Sequence, residues 1–321
     1  MTATASLAVT VVVPSHNPHL GRLRATLNGL RGQSLAPELW ETLLVDNASS
    51  SFPSGRDLGG DAPANLRVLL EPRLGLTSAR LAGIRAAKGA VIVFVDDDNI
   101  LAPGYLAEAV RLFGRDGRLG AAGGKSVPAL ESPPLPWQGE FLPLLAVRDL
   151  GEAELLATTF RPAGAARKQY PPFAPIGAGM ALRRESALEW AAGVERDPGR
   201  RRLDRSGLDL ASGGDNDVVM TVLENGWSVG YFPGLRLDHV IPAARLDTGY
   251  LARLNRAMQR SWVQVLARHD ASPWKPIPGW TVAPRRIKAW FAYRAWAGPA
   301  CRIRWQGACG HFEGRADIRR C

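Results

Sequence analysis

The sequence has few cysteines, no long apolar run and no recognisable leader, and each shortage excludes a class of protein. Its 3 cysteines, Cys301, Cys309 and Cys321, form no Cys-x-x-Cys pair, and an odd, scattered set argues against a disulfide framework. No apolar stretch approaches the ~18 residues that a membrane-spanning helix needs. Residues 1–6 lack the basic start and apolar run of a signal peptide, so a reducing cytoplasm is the expected location.

Positive charge is confined to one segment of the chain. The 321 residues carry a net charge of +10, and a hydrophobic content of 46% excludes a disordered chain. Residues 245–321 hold 15 Lys+Arg and 4 Asp+Glu, a net of +11, whereas the remainder has a net of −1. Six of the ten tryptophans lie in the same segment. The basic character therefore belongs to a C-terminal extension, residues 245–321, and not to the preceding residues 1–244.

The strongest local feature is an apolar run that leads straight into three carboxylates. Residues 91–95, Val-Ile-Val-Phe-Val, are typical of a strand buried on both faces, as in a parallel sheet. Asp96, Asp97 and Asp98 follow, and adjacent carboxylates cannot be buried without a cationic partner. Their oxygens suit Mg²⁺ or Mn²⁺ beside a phosphate. The alternative is a solvated acidic turn.

The first half of the chain alternates strands with helices. Hydrophobic patterning predicts strands over 7–13, 42–45, 66–70 and 91–95, and helices over 20–30, 77–87 and 103–113. Acidic or turn-forming residues follow the strands that end at 13, 45 and 95. We therefore predict an α/β fold, a doubly wound mixed sheet with its site along the carboxyl edge.

Three features of the second half are candidates for the same site. Gly177, Ala178 and Gly179 lie in a predicted strand whose small residues allow either a ligand or another chain segment to approach the backbone. Residues 213–217, Gly-Gly-Asp-Asn-Asp, open a predicted helix, where Asp215 is either a functional carboxylate or an N-cap. His239 follows a late predicted strand.

Taken together, these stretches resemble the family-2 glycosyltransferases, which have the GT-A fold. The resemblance covers about residues 7–239 and rests on the order and spacing of several motifs. They are Val-Val-Val-Pro-Ser-His-Asn at 11–17, Val-Asp-Asn-Ala-Ser at 45–49, Ala-Arg at 79–80, Val-Asp-Asp-Asp at 95–98 and Gly-Gly-Asp-Asn-Asp at 213–217. The last is similar to the family's Glu-Asp-x-Asp motif, with Gly214 in place of the Glu.

The resemblance implies roles for particular residues. Asp215 would be the catalytic base, Asp98 would hold the metal (Mg²⁺ or Mn²⁺), and His239 is similar to the family's additional metal ligand. The acceptor side would include Gly177, Ala178, Gly179 and Asp217. The donor-binding residues would be Pro14, Ser15, His16, Asp46, Arg73, Arg80, Asp96 and Asp97.

The implied activity is transfer of a single sugar, with inversion, from a nucleotide sugar to a glycan or lipid-linked acceptor, as in the synthesis of cell-surface polysaccharides or glycolipids. Residues 258–262, Met-Gln-Arg-Ser-Trp, do not match the Gln-x-x-Arg-Trp of the family's processive members. Two alternatives stay open: a nucleotidyltransferase acting on sugar phosphates, and a non-catalytic module that binds a nucleotide sugar. A nucleotidyltransferase would usually carry a Gly-rich basic loop after the first strand, where residues 14–18 read Pro-Ser-His-Asn-Pro.

The extension is predicted to be helical. Apolar residues at helical spacing over 251–266 indicate one helix, and a second segment over 285–296 interleaves basic and aromatic residues. This pattern is typical of a helix that lies on an anionic membrane surface, here the inner face of the plasma membrane. Nucleic acid would also accept the charge, but no nucleic-acid module is recognisable, so we expect no nucleic-acid partner. The alternative is a packed helical subdomain with a solvated basic face.

Overall fold

The computed structural model describes residues 7–207 and 209–318. Residues 1–6, on which the leader prediction rests, and Cys321 lie outside the described residues. The strands are β1 (Val9–Ser15), β2 (Trp40–Asp46), β3 (Leu66–Leu70), β4 (Val91–Phe94), β5 (Asn99–Leu101), β6 (Leu119–Leu130), β7 (Leu155–Ala157), β8 (Ala181–Arg183) and β9 (Ser228–Ile241). The α-helices are α1 (Leu20–Arg31), α2 (Gly55–Leu58), α3 (Leu76–Ala86), α4 (Tyr105–Arg115), α5 (Arg184–Arg196), α6 (Gly214–Glu224), α7 (Thr248–Arg268), α8 (Val282–Ala292) and α9 (Pro299–Asp317).

The strands form one mixed sheet in the order β3-β2-β1-β4-β8-β6-β9-β5, with β7 paired to β9. β1 is parallel to both β2 and β4, and β2 is parallel to β3. β8 is antiparallel to β4 and to β6, which makes the sheet mixed from that point on. The seven strands and helices predicted over the first 113 residues occur in the predicted order, and the structure adds α2 and β5 among them. The predicted mixed sheet with a C-terminal helical extension is confirmed.

The candidate site lies at the ends of the neighbouring strands β1 and β4. The chain fills one side of β1 with β2 and β3, then crosses to β4 on the other side, and ligands bind at such a switch point in α/β sheets. The register pairs Ser15 of β1 with Asp46 of β2, so both strands end at the same edge. The three aspartates follow β4 and Val95 at that edge as well.

Helices cover both faces of the sheet because β1 and β4 are apolar on both sides. On one face, Val12 and Phe94 pack with Ile84 of α3 and with residues of α5 and α6. On the opposite face, Val11 and Val13 pack with α1 and α4. This two-sided burial is what the continuous apolar runs predict, and it fixes the strand ends that carry the polar residues.

The extension packs as a third cluster. Residues of α7 and α9 meet Phe141, Leu145 and Ile241 in a separate apolar core. Gly307, Gly310 and Gly314 line one side of α9, and a Cβ at Gly310 would overlap the backbone of Arg256, so the two helices approach closely. Within residues 7–207 and 209–318, no helix is both long and apolar enough to cross a membrane.

Candidate functional site

A cavity of about 450 Å³ opens at the carboxyl edge of the sheet. Its wall brings together most of the residues singled out from the sequence, drawn from six separate stretches of the chain. Among those predicted, the lining residues are Pro14, Ser15, His16, Arg80, Asp96, Asp97, Asp98, Ala178, Asp215 and His239. The structure therefore collects motifs that are up to about 220 residues apart in sequence into one concave surface, as ligand sites require.

The loop after β1 forms one wall of this cavity. Ser15 donates its hydroxyl hydrogen to Asp97, and His16 Nδ1 lies 2.8 Å from the carbonyl oxygen of Asn47, so that nitrogen is the donor. Asn47 is buried, and its side chain bonds the carbonyl of Arg73 at 2.8 Å and the amide of Gly75 at 2.8 Å. Asn47 thus fixes two loops of the wall.

Two predicted donor-binding residues do not reach the cavity wall. Asp46 ends β2 and accepts the amide hydrogen of Ser49 at 3.0 Å, which is ordinary turn geometry. Arg73 is exposed and joins the network through its backbone carbonyl rather than its guanidinium. Their predicted roles as donor-binding residues stay predictions.

The three aspartates have different surroundings. Burial and the neighbouring Asp98 raise the pKa of Asp97 to about 6. Burial also raises the pKa of Asp96, against the attraction of Arg80. Asp98 is the opposite case: burial favours its neutral form, but the contacts with His239 and Arg245 outweigh it and lower its pKa. Asp98 is therefore the member of the trio that stays ionised most firmly.

Asp98 and His239 could serve as two ligands of one divalent ion. Asp98 Oδ1 and His239 Nε2 lie 3.5 Å apart, both side chains are buried, and His239 Nδ1 has no hydrogen-bond partner among the described residues. In residues 7–207 and 209–318, no group of three or more His, Cys, Asp or Glu is arranged around a common metal position. Mg²⁺ is commonly held by one or two protein groups plus substrate phosphates and water, so this donor pair fits such an ion.

Asp215 lines the same cavity. It lies in the first turn of α6, where the helix dipole favours a negative charge. Arg80 Nη1 donates to Asp215 Oδ1 at 2.6 Å, and the Gly177 amide donates to Oδ2 at 2.8 Å. The N-cap is Gly213, so the alternative role of Asp215 as a cap does not apply. The carboxylate is oriented by another part of the chain and is partly open to the cavity.

A buried carboxylate, Asp204, lies beside Gly214, and sequence reasoning missed it. A Cβ at Gly214 would overlap the carboxylate of Asp204, which is buried and lies 3.4 Å from Arg80. Asp204 therefore brings an acidic group next to the place where the Glu of the family motif would begin. Burial raises the pKa of Asp204, while Arg80 pulls it down. Nothing near residue 204 in the sequence signals this role.

Asp217 lies away from the cavity, which corrects its prediction as an acceptor-side residue. Its side chain is 1% exposed and accepts hydrogen bonds from Trp190 at 2.8 Å, Arg200 at 2.9 Å and His269 at 3.0 Å. All three donors belong to the protein interior or to the end of α7. The helical spacing puts Asp217 on a different face of α6 from Asp215, and there it serves as a structural anchor.

The small residues at 177–179 had two possible roles: to let a ligand approach the backbone, or to let another chain segment pack against it. The structure shows residues of both kinds. Gly177 donates to Asp215, and a side chain there would overlap that carboxylate, while Ala178 lines the cavity. Gly179 has φ +75° and its carbonyl accepts the hydroxyl of Tyr105, which is tight packing. Only the first two residues border the site.

The mixed sheet with helices on both faces, and aspartates at its carboxyl edge, is consistent with the GT-A fold. The chain belongs to glycosyltransferase family 2, since the family described as Glycosyl transferase family 2 matches residues 10–190, more than half of its length. The family predicted by resemblance is thereby confirmed, and with it the GT-A fold.

Two curated relatives match shorter regions. An uncharacterized protein, y4gI, of Sinorhizobium fredii (strain NBRC 101917 / NGR234) is 33% identical over 107 residues, which cover 32% of this chain and 12% of the relative. An uncharacterized glycosyltransferase, YwdF, of Bacillus subtilis (strain 168) is 27% identical over 105 residues, covering 33% of this chain and 38% of the relative. The matched regions span well under half of each relative's length.

Proposed function

We propose that this protein is an inverting glycosyltransferase that moves a single sugar from a nucleotide sugar to a glycan or lipid-linked acceptor, in the synthesis of cell-surface polysaccharide or glycolipid. One observation carries the proposal: a single cavity is lined both by the aspartates of the sheet edge and by the oriented carboxylate of Asp215. Such an arrangement suits a donor held at its diphosphate and an acceptor hydroxyl deprotonated by Asp215.

The donor would lie along the sheet edge. Pro14, Ser15 and His16 would line the nucleotide pocket, Asp97 would face the ribose, and Arg80 would help orient the base carboxylate. Asp46 and Arg73 would contact the nucleotide only after movement of their side chains. Buried polar groups of fixed geometry are what gives a site selectivity for one base over another.

Asp215 would act as the general base. Its carboxylate would accept the proton of the acceptor hydroxyl while the acceptor oxygen bonds the anomeric carbon and the nucleoside diphosphate departs with the bonding electrons. A single displacement of this kind inverts the anomeric configuration. Hydrogen bonds from Arg80 and Gly177 hold the carboxylate in place, leaving its remaining lone pairs free for the proton.

A divalent cation, Mg²⁺ or Mn²⁺, would be held by Asp98 and His239. When bound, it would supply positive charge beside the diphosphate as negative charge collects on the leaving group. The support for this assignment is the separation of the two donor atoms and their burial. Asp96 and Asp97, with their raised pKa values, would contribute less charge to the ion than Asp98.

The test of the proposed function is donor binding followed by turnover. Thermal shifts would be measured with UDP, GDP, CDP, ADP and dTDP, with and without Mn²⁺, because a ligand of the folded state raises its stability. Release of nucleoside diphosphate from the matching nucleotide sugars would then be followed with a membrane-lipid extract as acceptor.

Asp215→Asn should lower turnover at least ~100-fold, the scale of general-base catalysis, while nucleotide binding persists. Asp61→Asn, at a partly exposed carboxylate that does not line the cavity, is the matched control. Undiminished turnover of Asp215→Asn would exclude Asp215 as the base. Incorporation of phosphate or nucleotide into the acceptor would instead support the nucleotidyltransferase alternative, and binding without any turnover the non-catalytic one.

We also propose that the enzyme works at the inner face of the plasma membrane, bound there by the extension. The support is an exposed surface around α8, here called the α8 face. Its apolar members include Trp280, 80% exposed, Phe291, 63% exposed, and Trp296, 56% exposed. Its basic members are the exposed side chains of Arg285, Lys288 and Arg294, and the half-buried Arg286.

The α8 face agrees with a membrane surface better than with a packed subdomain. A subdomain that only packs on the sheet would bury Phe291 and Trp296, and both stay exposed. Trp290 is the partner that packs inward, with its ring edge-on to Trp305 at 4.8 Å. Each Lys or Arg near an anionic surface contributes about 1 kcal/mol, and interfacial Trp rings add an apolar part that salt does not screen.

Liposome co-sedimentation would test this surface. Wild type should pellet with anionic vesicles at low salt and less at high salt, and Arg285, Arg286 and Lys288 changed together to Glu should remove most of this binding. The control changes three exposed arginines elsewhere to Glu, namely Arg118, Arg161 and Arg167, which alters net charge equally. Equal loss in both triple variants would mean that only net charge matters, and negligible pelleting of wild type would exclude the membrane.

A further inference from the structure

The guanidinium of Arg245 occupies the place where the site needs positive charge. Arg245 Nη2 lies 2.9 Å from Asp98 Oδ2, and its Nη1 lies 3.3 Å from His239 Nε2. The residue follows β9 directly, in a short 3₁₀ segment, Ala243–Leu246, at the start of the extension. Its side chain lines the cavity and is about a quarter exposed, whereas those of Asp98 and His239 are buried.

This contact pairs the negative charge of Asp98 with a cation that belongs to the protein itself. An arginine guanidinium stays protonated in proteins, so Arg245 is cationic at every working pH. A divalent ion held by Asp98 Oδ1 and His239 Nε2 would share the imidazole nitrogen with this guanidinium, which would have to move aside. The long arginine side chain allows that movement toward the open cavity.

We propose that Arg245 is the protein's own cation at the diphosphate site: it neutralises Asp98 in the free protein and binds the donor diphosphate when the nucleotide enters. The inference rests on the proposed function, because it presumes a nucleotide-diphosphate donor. A planar guanidinium matches phosphate oxygens in a two-pronged geometry that an ammonium lacks. Nucleoside diphosphate should therefore bind without a divalent ion, through Arg245.

The test is isothermal titration of UDP, GDP, CDP, ADP and dTDP into the full-length protein, once with EDTA and once with Mn²⁺. The best nucleotide is then titrated into Arg245→Met, Arg245→Lys and the control Arg253→Met. Arg253 is an exposed arginine of α7 outside this cavity, so its loss removes the same charge from the extension. Circular dichroism melts verify that each variant is folded.

In EDTA, Arg245→Met should bind the nucleotide at least ~10-fold more weakly than wild type, the effect of losing one hydrogen-bonded charge. Arg245→Lys should fall between them, because it keeps the charge without the fork, and Arg253→Met should match wild type. A second readout needs no nucleotide. Mn²⁺ titrated into the free protein should bind more tightly to Arg245→Met, because no guanidinium then competes with the ion for Asp98.

Two results would overturn the role of Arg245 while leaving the proposed function intact. One is nucleotide binding by wild type only when Mn²⁺ is present. The other is equal affinity of Arg245→Met and wild type in EDTA. Absence of nucleotide binding by wild type in both conditions is a different result, because it would overturn the proposed function and this inference with it.

Discussion

Replacing Asp217 by Asn should destabilise the protein strongly and leave its chemistry comparatively untouched. Asp217 is the buried acceptor for Trp190, Arg200 and His269, and its carboxylate is the negative partner of the Arg200 guanidinium at 2.8 Å. Asparagine has nearly the same size but only one acceptor oxygen, and its amide hydrogens would face the donors of Arg200 and His269. The substitution therefore strands positive charge in the interior.

The expected cost follows from the burial of this network. Removing one partner of a buried ion pair costs roughly 3–5 kcal/mol, because the other charge stays desolvated. For a protein of this size, that loss corresponds to a fall in melting temperature on the order of 10 °C. The assay is thermal and urea unfolding followed by circular dichroism, with turnover measured well below the melting temperature.

Asp215→Asn is the matched comparison, because both residues are aspartates of the first turn of α6. It should show the reverse pattern, a large loss of turnover with a smaller loss of stability, since Asp215 is partly exposed and Arg80 keeps Asp204 as a partner. A melting temperature of Asp217→Asn within ~2 °C of wild type, together with lost turnover, would refute the reasoning and return Asp217 to the acceptor side.

The remaining predictions concern three other parts of the molecule. Contacts with Asp217 and Glu224 outweigh burial and raise the pKa of His269 above its usual 6.5. The stabilisation that these contacts give the folded protein is therefore complete below pH 6.5 and is lost as the pH rises through the higher pKa of the folded state. The free energy of unfolding should decline over that range, and His269→Gln should flatten the profile in urea melts. Gly214→Glu should destabilise by about 1–3 kcal/mol because it overlaps Asp204, and the added change Asp204→Ala should recover part of that loss in thermal melts; simple additivity would contradict this. Asp98→Asn should remove Mn²⁺-dependent nucleotide binding in titrations while the fold stays intact, and unchanged Mn²⁺ dependence would exclude Asp98 as a ligand.

The half of the fold that sequence predicts well is the half with local signals. β1 and β4 are continuous apolar runs buried on both faces, and α1 and α4 carry apolar residues at helical spacing. Each of these elements is defined by the residues within it. Long-range pairing only positions them, so periodicity alone is enough to predict their type and order.

The antiparallel part of the sheet lacks such signals. β5, β7 and β8 are three residues each, too short for any period to register, and they exist because a neighbouring strand supplies their hydrogen bonds. β9 is continuous over 14 residues although Pro233 and Gly234 interrupt its pattern, which predicts two separate strands. Its pairing with β6 holds it together across that break, with a register shift opposite.

The residues of the site also fall into two groups, those with a local sequence signal and those without one. Three aspartates after a buried strand are a local signal, and the structure lines the cavity with all three. Asp204, Arg205 and Arg245 line it too, yet each sits in a stretch whose composition indicates only a basic loop or helix end. Their positions depend on the folding of the chain back over the sheet edge, and no window of sequence contains that information.

The extension contributes residues to the cavity, a hydrogen bond to Asp217 and the proposed membrane surface. Its first residues place Arg245 against Asp98, α7 contributes Met258 to the cavity, and His269 at the end of α7 bonds Asp217. α9 packs on α7, and α8, which carries the proposed membrane face, is joined to α9 by the contact of Trp290 with Trp305. The boundary between residues 244 and 245 stays a prediction from charge. Because the same helices touch the cavity and present the α8 face, docking of that face would also fix the direction in which the cavity meets a lipid-linked acceptor.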